Sequence, residues 1–122
     1  MNRKSTLLIV DDSKIARMMI HAFIKEKHPD WGVLEAGSGD GALEIAENTT
    51  IDYCSIDFNM PGMDGVELME KIAANYPATK KVLMTANYQD EIISRVVALD
   101  SIVIAKPITE QSVSQMLGYF NE

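Results

Sequence analysis

What this sequence lacks narrows its reading first. No apolar run comes near the roughly 18 residues that would mark a transmembrane helix, so no membrane insertion is expected. The start, MNRKSTLLIVDD, has a short basic segment and then only Leu7–Val10 before two acids. That is too short for a secretion signal and offers no small-residue cleavage site, so a cytoplasmic location is expected. Cysteine is nearly absent. Cys54 alone cannot form an internal disulfide, and its place inside an apolar run suits a small core residue. Positive charge is scarce: 11 Lys and Arg stand against 18 Asp and Glu, a formal net charge of −7. Nucleic-acid binding, which needs a concentrated basic footprint, is therefore not expected. Repeats, linkers and low-complexity segments are also missing. The 122 residues read as one domain, 1–122, long enough to bury about two-thirds of its unfolded surface.

What is present alternates. Short apolar segments at 6–10, 33–36, 53–57, 81–86 and 102–105 predict five strands. Helical periodicity fills the gaps. Ile15, Met18, Met19, Ala22 and Phe23 form one apolar stripe. Ser38 can cap a helix whose inner face is Ala42, Ile45 and Ala46. Asp64, with Glu67 three residues on, predicts a capping box ahead of Val66, Met69, Ile72 and Ala73. Residues 89–99 read as a helix with Ile93, Val96 and Val97 inward. Thr109 can cap a last helix that buries Val113, Met116, Leu117 and Phe120. Strands that are apolar throughout point to a parallel sheet covered on both faces, and strand–helix alternation agrees. The fold class is therefore α/β, an open doubly wound sheet of five parallel strands. Ligands of such sheets sit beyond the carboxyl ends of the strands.

Four of the five predicted strands deliver polar groups to that edge: Asp11 and Asp12, Asp57, Thr85 with Ala86, and Lys106 with Pro107. Singly, each has an ordinary explanation, such as a helix cap or a solvated lysine. Converging, three carboxylates raise one another's pKa values. Mg²⁺, a hard cation taking carboxylate and water oxygens, would relieve them, and with Lys106 the site comes to formal neutrality. Asp57 could then attack a phosphoryl group to form an aspartyl phosphate. Such a transfer needs mainly positioning and charge neutralisation. The Thr85 hydroxyl and the Ala86 N–H could serve the phosphoryl oxygens.

The segments VDD (10–12), DFNMPGMDG (57–65), MTA (84–86) and KP (106–107) resemble, in order and spacing, the receiver domain of two-component response regulators. The resemblance covers essentially the whole chain and is nearest the stand-alone, chemotaxis-type members. It implies a flavodoxin-like (βα)5 fold with strand order 2-1-3-4-5. Asp57 would be the phosphoacceptor, Asp11, Asp12 and Asp57 would hold Mg²⁺ with the Asn59 carbonyl, and Thr85 and Lys106 would contact the phosphoryl group. The Lys106–Pro107 bond would be cis, and Asn59 and Asn87 would tune the access of water. The implied partners are a histidine kinase or histidine phosphotransfer protein and a downstream protein target, met by the fourth helix, fifth strand and fifth helix. The chain would be a monomer or weak homodimer, with self-phosphorylation and slow autodephosphorylation but no metabolic activity. His21 and His28 are expected at the surface. One departure stands out: Val103 occupies the strand-five position where many receivers carry Tyr or Phe, and ALDSIVIAKP lacks a glycine often found there. Tyr88 is expected to be a partly exposed loop residue. Two alternatives compete. A haloacid-dehalogenase-type phosphatase also uses an aspartate nucleophile, but Asn59 stands where it usually has a second aspartate. A degenerate receiver would act without phosphorylation, although all five key positions are intact.

Overall fold

The computed structural model describes residues 4–121. Five strands alternate with five helices: β1 (Thr6–Val10), α1 (Lys14–Lys27), β2 (Gly32–Ala36), α2 (Gly39–Asn48), β3 (Tyr53–Asp57), α3 (Gly65–Asn75), β4 (Lys80–Thr85), α4 (Asp90–Val97), β5 (Ile102–Ala105) and α5 (Glu110–Phe120). The strands form one parallel sheet in the order β2-β1-β3-β4-β5, as expected. The chain leaves β2 and crosses back past β1, so strand order reverses between β1 and β3. Register aligns the carboxyl ends: Val10 lies opposite Ile56, Asp57 opposite Met84, and Thr85 opposite Ala105.

Successive strand residues point to opposite faces, and this builds two cores. Leu8, Val10, Cys54, Ile56 and Leu83 pack with residues of α2, α3 and α4. Leu7, Ile9, Val82, Met84 and Ile104 pack with Ile20, Ile24, Val113, Met116 and Phe120 of α1 and α5. Trp31, Tyr53 and Phe120 stack at 4.9 and 4.7 Å at the amino-terminal edge of that second core. His28, expected at the surface, is half-buried and stacks on Trp31 at 4.1 Å.

The helix caps on Ser38, Asp64 and Thr109 form as predicted, including the Asp64–Glu67 box. Two helix faces differ from the expectation. In α1 the buried residues are Ile20 and Ile24, while Ile15 and Met18 are 72% and 57% exposed and Ala22 faces solvent. This helix is apolar around most of its circumference, so periodicity alone does not choose a stripe. Arg17 and His21 could turn toward the sheet because a carboxylate there receives them. In α4 the buried pair is Ile92 and Val96, and Val97 is exposed. Where the usual glycine is missing, Asp100 takes φ +55°, a left-handed conformation that aspartate tolerates better than most residues.

Gly65 opens α3 directly beneath β3. A Cβ there would lie 2.4 Å from the Asp57 carbonyl oxygen and 2.9 Å from the Phe58 Cα, both backbone atoms that cannot swing aside. Gly65→Ala is expected to destabilise the fold by about 1–3 kcal/mol, the usual cost of overpacking. Gly118, inside α5, has open space around its would-be Cβ, so Gly118→Ala should stabilise by about 0.5–1 kcal/mol through backbone entropy. Urea unfolding of the two variants checks both signs.

Candidate functional site

Asp11 follows β1 and is 2% exposed; every polar group it carries is engaged. Its N–H donates to the Ala36 carbonyl at 3.1 Å, and its carbonyl accepts Arg17 Nη1 at 2.6 Å. Oδ1 accepts the Ser13 N–H at 2.9 Å, and Oδ2 accepts Lys106 Nζ at 3.3 Å. The cap of α1 falls on Ser13, whose side chain accepts from the Ala16 N–H. Asp12 is thereby free of capping duty and stands exposed.

Asp57, the last residue of β3, is 5% exposed and pairs through Oδ1 with Lys106 Nζ at 2.9 Å. Lys106 follows β5, across a cis bond to Pro107. One carboxylate oxygen each from Asp11, Asp12 and Asp57 lie within 4.8 Å of one another. Side-chain alternation explains the grouping. Asp11, Asp57 and Lys106 continue the rows of Ile9, Ser55 and Ile104, on the α1/α5 side of the sheet.

Thr85 continues the row of Leu83, on the α3/α4 side. Its hydroxyl is engaged within its own loop: it accepts the Asn87 N–H at 3.0 Å and donates to the Asn87 carbonyl at 3.3 Å. Ala86, Asn87 and Asn59 are exposed around the rim. Asn59 lines a groove with Asp12, Phe58, Met60, Pro61 and Asp64. Tyr88 is 51% exposed, yet its hydroxyl donates to the Val103 carbonyl at 3.3 Å.

The charges are unequal. Burial raises the Asp57 carboxyl above the ordinary aspartate value; the Lys106 hydrogen bond opposes this, while Asp11 and Asp12 add to it. Burial would lower the Lys106 ammonium, but the hydrogen bond to Asp57 and the charge of Asp11 outweigh it and raise the group. The Asp57 direction thus comes first from burial, and the Lys106 direction from the carboxylates around it. Away from the site, burial pushes the Cys54 thiol up to about 12, as befits a core residue.

Glu35 and Arg17 of this region escaped the sequence reading, and His21 was expected at the surface. Glu35 of β2 accepts Arg17 Nε at 3.0 Å through Oε1 and meets His21 Nδ1 at 2.9 Å through Oε2. The His21 hydrogen bond, with help from Arg17 and against burial, lowers the Glu35 pKa. A charged residue inside the short strand VLEA was the available signal. His21 is thus half-buried and partnered, not a plain surface residue. A second concavity, lined by Ala46, Thr49, Ile51, Tyr76 and Thr79, opens at the amino-terminal end of the strands and holds no comparable cluster.

An open doubly wound sheet that carries buried acids and a lysine at its carboxyl rim defines a class: an α/β protein whose site suits a hard cation beside an oxyanion. The family model described as the response regulator receiver domain matches residues 7–118. This chain belongs to that family. It is 34% identical over 88 residues to the chemotaxis protein CheY of Listeria monocytogenes, covering 71% of this chain and 72% of that protein. It is 35% identical over 92 residues to a cyclic di-GMP phosphodiesterase of Thermotoga maritima, covering 75% of this chain and 24% of that protein. Several other curated relatives are likewise matched over only 14–44% of their length. Among solved structures, the CheX–CheY–BeF3–Mg complex of Borrelia burgdorferi has the same fold, with a TM-score of 0.87 at 20% identity over 97% of this chain and 90% of that one. Among the described residues no helix is long and apolar enough to cross a membrane.

The raised Asp57 pKa carries a sign. The folded state binds this proton more tightly than the unfolded chain, so the Asp57 contribution to stability is present at low pH and lost as pH rises through the folded-state value. Asp57→Asn should therefore raise the thermal midpoint near neutrality, in Mg²⁺-free buffer, by several degrees, equivalent to about 1 kcal/mol. It should also reduce the stability gained on mild acidification. Calorimetry at neutral and mildly acid pH tests this; equal midpoints for the two proteins would contradict it.

Proposed function

We propose that this receiver domain is a phosphorylation-controlled binding switch. Asp57 accepts a phosphoryl group from a phosphohistidine on a kinase or phosphotransfer protein, and the face formed by α4, β5 and α5 then changes its affinity for a protein target. The observation that carries this reading is the nearly buried Asp57, 2.9 Å from Lys106, with carboxylate oxygens of Asp11 and Asp12 within 4.8 Å.

The donor set fits Mg²⁺, because it is all oxygen, partly exposed and too negative for one lysine to balance. Asp11, Asp12 and Asp57 would hold the ion, with the Asn59 carbonyl as a further ligand. When bound, it supplies charge neutralisation at the oxygens of the transferring phosphoryl group. An Asp57 carboxylate oxygen attacks phosphorus. The P–N bond breaks, its electron pair stays on the imidazole nitrogen, and that nitrogen takes up a proton. Lys106 remains beside the new acyl phosphate and faces its oxygens. Thr85 can donate to the phosphoryl group only by giving up Asn87, which ties the chemistry to the loop that follows β4.

That loop supports a readout despite Val103. The Tyr88 hydroxyl already bridges it to the β5 backbone, and with the exposed Val97 it adds apolar surface near α4. Release of Asn87 would shift Tyr88 relative to the β5 backbone that it already contacts, so an aromatic from the loop would take the part of one on the strand.

Incubation with Mg²⁺ and a small phosphoramidate donor, followed by intact-mass measurement, tests the reading. One phosphoryl group per chain is expected, lost in Asp57→Asn and without Mg²⁺. Continuous phosphate release from simple phosphate esters would favour a phosphatase instead, and an unlabelled chain whose amide spectrum ignores beryllofluoride would favour a receiver that works unphosphorylated. Tyr88→Phe should leave labelling unchanged while shrinking the beryllofluoride-induced amide shifts of β5 and α4. Undiminished shifts would remove Tyr88 from the readout.

A further inference from the structure

Arg17 is bonded through the Asp11 carbonyl into the loop that carries two of the three site carboxylates. Its side chain is 17% exposed, lying between α1 and β2. Glu35 fixes its Nε, and His21 occupies the other oxygen of Glu35. The fork so anchored reaches Asp11 with Nη1, 2.6 Å from the carbonyl oxygen.

That carbonyl belongs to the peptide plane joining Asp11 to Asp12. A peptide is planar and trans, so holding its oxygen toward Arg17 also fixes the direction of the Asp12 N–H. The preceding plane is held by the Asp11 N–H on Ala36, and the following one by the Ser13 N–H on Asp11 Oδ1. The exposed Asp12 side chain thus leaves a backbone pinned at three successive peptides. Without Arg17, the middle one has no side-chain restraint among these contacts.

We infer that Arg17, locked by Glu35, is a positioning residue that orients the Asp11–Asp12 peptide so that the Asp12 carboxylate meets those of Asp11 and Asp57. This rests on reading the three acids as a Mg²⁺ site. The sign of one measurement separates positioning from simple charge. A guanidinium near an acidic site repels a dication, so if Arg17 acted only through charge, its removal would tighten Mg²⁺ binding. If it positions Asp12, removal weakens binding, as the loss of groups that orient metal ligands does, typically by 10–100-fold.

The experiment titrates Mg²⁺ alone into the wild-type chain and into Arg17→Ala, Arg17→Lys and Glu35→Gln, by calorimetry and by the amide shifts of Asp12 and Ser13. Urea unfolding runs in parallel. Arg17→Ala is expected to bind Mg²⁺ about 10-fold more weakly. Arg17→Lys keeps the charge but not the two-point fork, so it should stay weak. Glu35→Gln, which keeps both histidine and arginine in place but loosens the anchor, should fall between Arg17→Ala and wild type. If Arg17→Ala does not fold, Arg17→Lys and Glu35→Gln carry the same test. Unchanged or tighter binding in the folded variants overturns the inference while leaving the Mg²⁺ site intact. A wild-type chain that binds no Mg²⁺ overturns the site reading and this inference together.

Discussion

One ammonium faces three carboxylates at the carboxyl edge of the sheet, and the rest of the molecule is arranged around that imbalance. Lys106 lies 2.9 Å from Asp57 and 3.3 Å from Asp11, and it cannot neutralise both together with Asp12. The deficit is maintained by burial: Asp11 and Asp57 are 2% and 5% exposed, so little water reaches them to screen their charge. In solvent the same charges would interact weakly, because screening and high dielectric reduce each pair to little. The two apolar cores therefore do more than stabilise. They hold ionised groups close together in surroundings where a dication or a phosphoryl group changes the energy appreciably.

Register and close packing set how finely this is done. Parallel pairing aligns β1, β3, β4 and β5 so that their last residues share one rim. Gly65 lets α3 begin against the backbone of Asp57 and Phe58 with no side chain between them. The Gly65 N–H donates to the Phe58 carbonyl, and the Phe58 N–H donates to the Met84 carbonyl, so the backbone after Asp57 is bonded on both sides. A carboxylate kept above its ordinary pKa is a local cost to folding. The packing on either side offsets it, which is why an acid can persist where an amide would be the more stable choice.

The strands, their order and the rim residues were legible because each leaves a local mark: an apolar run, a terminal polar residue, a turn. Caps were legible for the same reason, since Ser38, Asp64 and Thr109 bond backbone only three residues away. The buried side of α1 was not. Its two candidate stripes have similar apolar content, and the choice depends on Glu35, a residue of another element, which draws Arg17 and His21 inward and leaves Ile15, Met18 and Met19 outside. The state of Thr85 was equally hidden. Its type suggests a hydrogen-bond donor to a phosphoryl oxygen, but its orientation follows from competition with the Asn87 backbone. What sequence missed in each case is a contact between groups that only the fold brings together.

The same separation bears on how an event at Asp57 can be felt elsewhere. Alternation puts Asp57 and Lys106 on the α1/α5 side of the sheet and Thr85 on the α3/α4 side, so the charged cluster and the Thr85 hydroxyl lie on opposite faces. A signal must pass through the rim, where the β4–α4 loop begins. There the Thr85 hydroxyl is held by Asn87, and Tyr88 is held by the Val103 carbonyl. Val103 offers β5 no polar or rotating side chain of its own, but its backbone carbonyl is available on the sheet's edge strand, where Tyr88 can reach it. The contact between loop and strand here is thus made by a loop side chain and a strand carbonyl. In the proposed switch the loop would carry both ends of the coupling within four residues, Thr85 to Tyr88, so displacement at the first would need little intervening structure to reach the second.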